Sequence, residues 1–308
     1  MTTANEDPKF EQLLRRMEPH SKLRRIWPLA GGVSAQVTAL EIEQPDGQTR
    51  KLAVRQHGPA DLAHNPHLAA VEFKLLQLLQ AHHLPVPAPY YLDSSGQIFP
   101  TSVIIVEYIE GTPEDAPVHL PDLTRQLATQ LARIHTLSAA AVDLSFLPQQ
   151  ENRVAQILRD RPAALDATFD EGRIRAILDS LWPLPARNQA VLLHGDFWPG
   201  NILWQTGRLA AIIDWEDAAV GDPLADLANS RLEFLWAYGR AAMRQFTRQY
   251  QALAPLDVSH LPYWDLYAAL RPITKIATWG LDSPTEKRMR AGLKWFISQA
   301  LNILSKGD

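Results

Sequence analysis

The spacing of apolar residues changes about a third of the way along the chain, and this change constrains the fold more than any other feature. Before it, residues 37–42 and 49–55 have the composition of strands, and Pro45-Asp46-Gly47 between them is a strong turn signal. Residues 37–55 therefore predict a β-hairpin. Beyond residues 110–113, which have the composition of a linker, apolar residues recur at helical spacing. Such a chain folds as a small β-rich part followed by a larger helical part.

Each part also contains some secondary structure of the other type. In the β-rich part, residues 66–81 carry apolar residues at helical spacing and predict one helix, whereas residues 90–92 and 101–107 predict two further strands. In the helical part, residues 190–193, 202–204 and 209–213 predict three short strands. The helical part thus holds a small patch of β structure within it.

We therefore predict an α+β fold with two lobes. The N-terminal lobe is small and β-rich over residues 1–109, and the C-terminal lobe is larger and mostly helical over residues 110–308. A short helix is predicted over residues 11–17, and a longer one over residues 121–137. Clefts between lobes are favoured places for ligands, so we expect the functional site there.

Composition excludes several classes of function. The chain has no cysteine, so disulfides, thiolate metal sites and cysteine nucleophiles are ruled out. The formal net charge is only −4, which does not predict a nucleic-acid partner. No apolar stretch approaches the roughly 20 residues that a membrane helix needs. We expect a cytoplasmic protein without a membrane partner, and the oligomeric state stays open.

One pair of segments has the pattern expected of a phosphoryl-transfer site. Residues 194–201 read His-Gly-Asp-Phe-Trp-Pro-Gly-Asn, and residues 212–216 read Ile-Ile-Asp-Trp-Glu at the end of the next strand. Phosphoryl transfer requires a carboxylate that orients the attacking hydroxyl, together with oxygen ligands for Mg²⁺. Any single one of these residues is explained equally well by a turn or cap role. The prediction therefore rests on the ordered set.

These segments resemble the aminoglycoside phosphotransferase-like family of small-molecule kinases. The resemblance covers residues 25–300 and is strongest over residues 191–227, where Gly-Asp-Pro-x-x-Asp follows at residues 221–226. It implies a two-lobed protein-kinase-like fold and an ATP- and Mg²⁺-dependent phosphotransferase that acts on a hydroxyl group of a small molecule. It also implies that Asp222 and Asp226 brace the catalytic loop and the start of a helix.

The same resemblance implies roles for four residues of the motif. Asp196 corresponds to the catalytic base, and His194 to the supporting histidine of the catalytic loop. Asn201 and Asp214 correspond to the Mg²⁺ ligands.

In the N-terminal lobe the resemblance implies a nucleotide-binding set. Gly31, Gly32 and Ser34 correspond to the phosphate loop, although Gly-Gly is by itself a weak signal that usually marks a turn. Arg55 occupies the strand position where protein kinases have lysine, and its charge and fork of donors still suit phosphate oxygens. Glu72, on the following helix, is its expected partner. Apart from such a pairing, both residues fit an exposed surface equally well.

Residues that precede the linker are expected to form the hinge that holds the adenine ring. This assignment covers Glu107, Tyr108 and Ile109, with the carbonyl group of Glu107 and the N–H group of Ile109 as the expected hydrogen-bonding atoms. An ordinary buried strand that ends in a turn explains the same residues. Their position directly before the linker favours the hinge.

Two alternatives to a small-molecule kinase stay open. A protein kinase is disfavoured because the G-x-G-x-x-G loop and an Ala-Pro-Glu segment after Asp214 are absent. A nucleotide-binding protein without catalysis is disfavoured because Asp196, Asn201 and Asp214 are all present. The sequence does not select the acceptor, and aminoglycosides, macrolides, amino alcohols and sugar derivatives all remain candidates.

Overall fold

The computed structural model describes residues 8–29 and 35–306, which form two compact units. The first unit takes the described residues up to Thr112, together with Leu203–Gln205 and Leu209–Glu216. The second unit takes Pro113–Ile202, Thr206–Arg208 and the described residues from Asp217 onward. The lobe boundary between residues 109 and 110 stays a prediction.

The first unit is built on one antiparallel sheet with the strand order β1-β2-β3-β5-β4. Its strands are β1 (Lys22–Pro28), β2 (Ala35–Glu43), β3 (Thr49–His57), β4 (Pro89–Asp93) and β5 (Val103–Glu107). The predicted hairpin over residues 37–55 is confirmed as β2 and β3, with Ala39 opposite Ala53. Strand β1 was not predicted, because this edge strand is half exposed and lacks a regular apolar alternation.

Three helices belong to the first unit, namely α1 (Pro8–Met17), α2 (Pro59–His64) and α3 (Leu68–Ala81). The predicted helices over residues 11–17 and 66–81 are confirmed as α1 and α3, with shifted ends. Helix α1 buries Phe10, Leu13 and Leu14 in a core that includes apolar side chains of β2, β3 and β5. Helix α3 buries Glu72 among leucines, so this carboxylate is held at the sheet.

The second unit is mostly helical. Its helices are α4 (Leu120–Ile134), α5 (Gln150–Arg159), α6 (Glu171–Leu181), α7 (Leu224–Leu253), α8 (Leu261–Ile273) and α9 (Ser283–Leu304). Helix α4 confirms the prediction over residues 121–137, because Leu123, Leu127 and Leu131 are buried on one face. Helix α7 is interrupted at Gly239, whose φ of 82° lies outside the helical region. Among the described helices, none has the combination of length and apolar character that crossing a membrane requires.

Short strands interrupt the helices between α6 and α7. They are β6 (Val191–Leu193), β7 (Ile202–Gln205), β8 (Arg208–Ile212) and β9 (Ala219–Gly221). The first three confirm the predicted β patch, whereas the three-residue β9 was not predicted. Strand β6 pairs with β9, and β7 pairs with β8. Residues 194–201 therefore connect strands of two different ribbons.

A buried ion pair connects three helices of the second unit. Arg231 of α7 donates from Nε and Nη2 to the two carboxylate oxygens of Asp265 of α8, both at 3.0 Å. Its Nη1 donates to Thr247 Oγ1 at 3.0 Å, and Gln299 of α9 donates to Asp265 Oδ2 at 2.9 Å. Both charged residues are buried, and their charged groups are surrounded by these polar contacts.

We expect the variant Arg231→Leu to lower the free energy of unfolding by about 3 kcal/mol, because it leaves the buried charge of Asp265 uncompensated. The double variant Arg231→Leu/Asp265→Leu should recover most of this loss, since it removes both charges. Urea unfolding followed by circular dichroism measures both effects. Arg244→Leu, which removes an exposed arginine from the same helix, is the control. A loss in the control equal to that of Arg231→Leu would contradict the prediction.

Candidate active site

The loop that carries the motif lies in the second unit, between β6 and β7. His194 is fully buried, and its Nδ1 accepts a hydrogen bond from the N–H of Asp196 at 3.3 Å. Asn201 Nδ2 donates to the carbonyl oxygen of Asp196 at 3.0 Å and to its Oδ2 at 3.2 Å. The structure thus brings these three predicted residues together. Because the Nδ2 atom of Asn201 is used within the loop, its Oδ1 atom is the one available for a metal ion.

A buried carboxylate anchors the start of this loop. Asp226 of α7 accepts hydrogen bonds from the N–H groups of His194 at 2.7 Å and Gly195 at 2.9 Å, and from His135 Nε2 at 3.2 Å. Burial acts to raise the pKa of Asp226, but the hydrogen bond and charge of His135 and the Gly195 N–H outweigh it and lower the pKa. Asp226 therefore stays ionised while it holds the loop backbone. Asp222 accepts a hydrogen bond from the N–H of Leu224, the first residue of α7, at 2.9 Å.

Gly195 occupies a position that only glycine fits. Its φ is 83°, and a Cβ atom there would lie 2.0 Å from the carbonyl oxygen of Asp217. On the other side of the residue, Arg271 Nη1 donates to the Gly195 carbonyl oxygen at 2.9 Å. The backbone directly before Asp196 is therefore held between Asp217 and Arg271.

Trp198 lies over the end of the same loop and is 38% exposed. A Cβ atom on Gly200 would come within 2.2 Å of the Trp198 ring, so the ring rests directly against this glycine. The close approach explains why glycine follows Pro199. It also leaves one face of an aromatic ring at the surface two residues from Asp196.

Two charged residues near Asp196, Arg271 and Glu233, were not singled out from the sequence, whereas Asp217 was considered as a contact for a cationic substrate. Arg271 Nη2 lies 3.9 Å from Asp196 Oδ1 and 3.4 Å from Asp217 Oδ2. Glu233 of α7 is half buried; burial, together with the charge of Asp196, raises its pKa to about 8 against the opposing effect of Arg271. Glu233 lies seven residues after Asp226, two helical turns on the same face, and this spacing was a usable signal. Arg271 lies on another helix, and no sequence spacing relates it to Asp196.

In the first unit, the guanidinium group of Arg55 contacts three carboxylates. Arg55 Nη2 contacts Asp214 Oδ1 at 2.5 Å and Glu216 Oε2 at 2.8 Å, and Arg55 Nε lies 3.3 Å from Glu72 Oε2. Burial opposes the charge of Arg55, but Glu72, Asp214 and Glu216 outweigh it and raise its pKa. The pairing of Arg55 with Glu72 that the sequence predicted is present. Glu216 belongs to the motif over residues 212–216, but the sequence predicted no role for it.

His57 takes part in the same cluster. Its Nε2 lies 2.6 Å from Glu72 Oε2, and both side chains are buried. Burial acts to raise the pKa of Glu72, whereas Arg55 and the contact with His57 lower it, and the lowering is larger. Asp214 itself has a φ of 68°, an uncommon value for a residue with a side chain. Strained backbone of this kind is typical of functional sites.

Other predicted nucleotide residues receive no direct support. Gly31, Gly32 and Ser34 lie outside the described residues. Glu107 ends β5 and its carboxylate accepts a hydrogen bond from the N–H of Ala88 at 3.2 Å, whereas the ring of Tyr108 packs edge-on against Trp27 with centroids 5.9 Å apart. Contacts of Glu107, Tyr108 and Ile109 with an adenine ring stay a prediction.

The donor atoms at the predicted metal ligands suit magnesium. Asn201 offers an amide oxygen and Asp214 a carboxylate oxygen, which are the types of ligand that Mg²⁺ prefers. Within residues 8–29 and 35–306, no group of three or more histidine, aspartate or glutamate side chains is arranged to hold a metal ion. A magnesium ion that uses few protein ligands and retains several waters does not need such a group.

The model of the phosphotransferase enzyme family, APH, matches residues 25–270. Acyl-CoA dehydrogenase family member 10 of Mus musculus is 25% identical over 248 residues, which are 75% of this chain but only 22% of that protein. Viomycin phosphotransferase of Streptomyces vinaceus is 32% identical over 145 residues, 41% of this chain and 48% of that protein. The chain thus spans between about a quarter and a half of the length of these relatives.

Solved structures share the fold. A crystal structure described as a putative aminoglycoside phosphotransferase from Ralstonia eutropha JMP134 has a TM-score of 0.68 at 15% identity, covering 95% of this chain and 98% of its own. The aminoglycoside phosphotransferase APH(4)-Ia, in a ternary complex with AMP-PNP and hygromycin B, has a TM-score of 0.61 at 20% identity, with 93% and 98% covered. At these identities the similarity establishes the kinase-like α+β fold that the sequence predicted.

We expect Gly195→Ala to lower the free energy of unfolding by about 3 kcal/mol, since it adds a collision with the Asp217 backbone to the cost of a positive φ. Gly207→Ala is the matched control, because Gly207 has a φ of 75° and no atom within 4 Å of the added Cβ. The control should lose only about 1 kcal/mol. Thermal and urea unfolding of both variants measure the difference, and equal losses would contradict the collision.

We expect Glu233→Gln to stabilise the protein increasingly as the pH rises from about 4.5 to about 8. The folded protein keeps a proton on Glu233 that the unfolded chain releases above its ordinary pKa, so the wild-type protein loses stability over this interval. The gain at pH 8 is on the order of 2–4 kcal/mol. Melting temperatures of both proteins measured across this pH range test it. A difference that does not depend on pH would show that Glu233 titrates normally.

Proposed function

The chain belongs to the phosphotransferase enzyme family, and from this premise we propose that it transfers the γ-phosphate of ATP, with Mg²⁺, to a hydroxyl group of a small molecule. The observation that carries the proposal is the geometry around Asp196. Its carboxylate accepts a hydrogen bond from Asn201, and the backbone before it is anchored by Asp226 and Arg271. A carboxylate held in this way suits a catalytic base, because the position of such a group determines its efficiency.

In the proposed reaction, Asp196 accepts a hydrogen bond from the acceptor hydroxyl and takes its proton as the oxygen attacks. A bond forms between this oxygen and the γ-phosphorus, the bond from the γ-phosphorus to the bridging oxygen breaks, and ADP leaves. The guanidinium of Arg271 lies 3.9 Å from Asp196 Oδ1 and places a positive charge beside the base. Asn201 keeps the carboxylate in one orientation.

Residues of the first unit have the nucleotide-binding roles in this proposal. Arg55 supplies a permanent positive charge for the phosphates, and Glu72 with His57 holds it on β3. Asp214 and Asn201 would hold Mg²⁺, which neutralises phosphate charge when it is bound. In the described structure Arg55 contacts Oδ1 of the Asp214 carboxylate, so Oδ2 is the oxygen that would hold the metal without loss of this contact.

The remaining expectations belong to the same proposal. Gly31, Gly32 and Ser34 would contact the phosphates, and the segment Glu107–Ile109 would contact the adenine ring. We infer a cytoplasmic enzyme whose partner is a small hydroxylated molecule rather than a nucleic acid or a membrane. The mouse relative named as an acyl-CoA dehydrogenase matches over less than a quarter of its length, so that name suggests no dehydrogenase activity for this chain.

We expect Asp196→Ala to abolish acceptor-dependent ADP release while it leaves Mg-ATP affinity within a few-fold of wild type, since this residue acts on the acceptor. Asp214→Ala should instead weaken Mg-ATP binding by about tenfold or more, because it removes a charged ligand. A panel of hydroxylated molecules with coupled detection of ADP measures transfer, and isothermal titration calorimetry measures binding.

Glu151→Ala, which removes an exposed carboxylate of α5, is the matched control and should behave as wild type. Turnover by Asp196→Ala comparable to wild type would rule out its role as the base. Binding of Mg-ATP without transfer to any member of the panel would favour a nucleotide-binding protein instead.

A further inference from the structure

Asn229 of α7 has an amide group with one free donor beside the proposed base. Its side chain is 7% exposed, and its Oδ1 accepts a hydrogen bond from Arg271 Nη1 at 2.8 Å. This bond fixes which end of the amide is oxygen, because a guanidinium group only donates. Over the residues that the structure describes, the Nδ2 atom of Asn229 has no hydrogen-bond partner. A buried donor without a partner is costly, and a ligand group that accepts from it removes the cost.

Arg271 also has donor capacity left. Its Nη1 donates to the Gly195 carbonyl oxygen and to Asn229, both at less than 3 Å. Its Nη2, by contrast, lies at the longer distances of 3.4 Å from Asp217 Oδ2 and 3.9 Å from Asp196 Oδ1. Bonds between a guanidinium and a carboxylate are normally about 2.7–2.9 Å long. Nη2 is therefore placed to make a shorter bond with an acceptor atom that enters beside it.

Glu233 adds a third group to this face of α7. It follows Asn229 by four residues, which places both side chains on the same side of the helix. Its carboxyl group lies within the electrostatic influence of Asp196 on the loop and Arg271 on α8. With a pKa raised to about 8 by burial and by Asp196, it holds its proton at neutral pH and acts as a hydrogen-bond donor.

The other carboxylate near Asp196 is already shared between two cations. Asp217 Oδ2 contacts Arg271 at 3.4 Å, and its Oδ1 lies 4.0 Å from Arg153 Nη1. An ammonium group of a substrate would have to compete with both arginines for Asp217, or ionise Glu233. A carboxylate group would instead receive hydrogen bonds from donors that are already present.

We propose that Asn229, Glu233 and Arg271 form a subsite that binds a carboxylate of the acceptor, so that the protein phosphorylates a hydroxy acid rather than a polycation. The inference rests on the proposed kinase function and specifies its acceptor. It assigns specificity to side chains of α7 and α8 in the second unit. Asp196 then meets the hydroxyl group at the other end of the acceptor.

The first test compares acceptors that differ only in charge. Hydroxy acids, amino alcohols and diols of matched chain length are offered to the wild-type protein with Mg-ATP, and ADP release is checked against the mass of the phosphorylated product. We expect kcat/KM to be at least about tenfold higher for the hydroxy acid than for its matched amino alcohol.

The second test uses two nearly isosteric variants. Asn229→Asp replaces the free donor by a negative charge, and we expect it to raise KM for the hydroxy acid about tenfold with a smaller effect on kcat. Asn302→Asp makes the same change at an exposed position of α9 and should leave KM unchanged. Melting temperatures of both variants identify a loss that is due to misfolding. Equal KM values for Asn229→Asp and wild type would overturn the proposal even if hydroxy acids were preferred.

The pH profile supplies a readout that a purely structural role would not change. For the wild-type protein, KM for the hydroxy acid should rise as the pH passes about 8, because Glu233 loses its proton and then repels the carboxylate. Arg271 stays charged over this range, since Asp217 and Asp196 outweigh the effect of its burial and raise its pKa. In Glu233→Gln this rise should disappear. If KM falls instead as the pH rises, the subsite binds a cation and the proposal is wrong.

Failure of this inference is distinguishable from failure of the kinase proposal. If the protein phosphorylates amino alcohols or aminoglycosides in preference to hydroxy acids, and does so in dependence on Asp196, the kinase function stands and the carboxylate subsite is overturned. If no molecule of any class is phosphorylated, the kinase proposal fails first, and the inference that rests on it fails as well.

Discussion

The arrangement of the loop over residues 194–201 depends on one buried carboxylate. Asp226 accepts hydrogen bonds from two successive backbone N–H groups at the start of the loop and from His135, which directly follows α4. His135 is held in turn by Tyr250, whose hydroxyl lies 2.6 Å from its Nδ1. The loop therefore takes its position from the packing of the helical unit rather than from its own short strands. Removing any member of this chain of contacts leaves another buried polar group without a partner, which is why such networks are costly to alter.

In the first unit the central group is a cation, and the groups around it are carboxylates. There a buried guanidinium gathers the carboxylates of Glu72, Asp214 and Glu216, and His57 completes the hydrogen bonding of Glu72. Asp226 in one unit and Arg55 in the other are thus each surrounded by several groups of opposite polarity. Burial makes such arrangements strongly dependent on complete pairing. Asp214, whose backbone has a positive φ, also contacts Arg55 through its side chain.

The sequence predicted most elements of the fold and part of the candidate site. An element or residue was predictable where its role leaves a pattern in the neighbouring sequence. The hairpin of β2 and β3 and the helices α1, α3 and α4 were predictable, because their apolar spacing follows directly from their burial. Strands β1 and β9 were not, because one is an edge strand without regular alternation and the other has three residues. Ordered motifs identified Asp196, Asn201 and Asp214. Side chains such as Arg271 reach the loop through tertiary packing, which leaves no local pattern.

Helix α7 is interrupted at Gly239, and this interruption affects how the chain tolerates insertions and deletions. Asn229 and Glu233 precede Gly239, whereas Thr247 and Tyr250 follow it and bind Arg231 and His135. An added residue in a continuous helix would rotate everything beyond it by about 100°, but a helix that is interrupted restarts its register. Apart from its chain neighbours and the nearby backbone of the helix, no described atom lies within 4 Å of the position that a Cβ atom on Gly239 would take. A change of length at this point interrupts neither continuous segment of α7, so the turns that carry Asn229 and Glu233 are able to change independently of the turns that carry Thr247 and Tyr250.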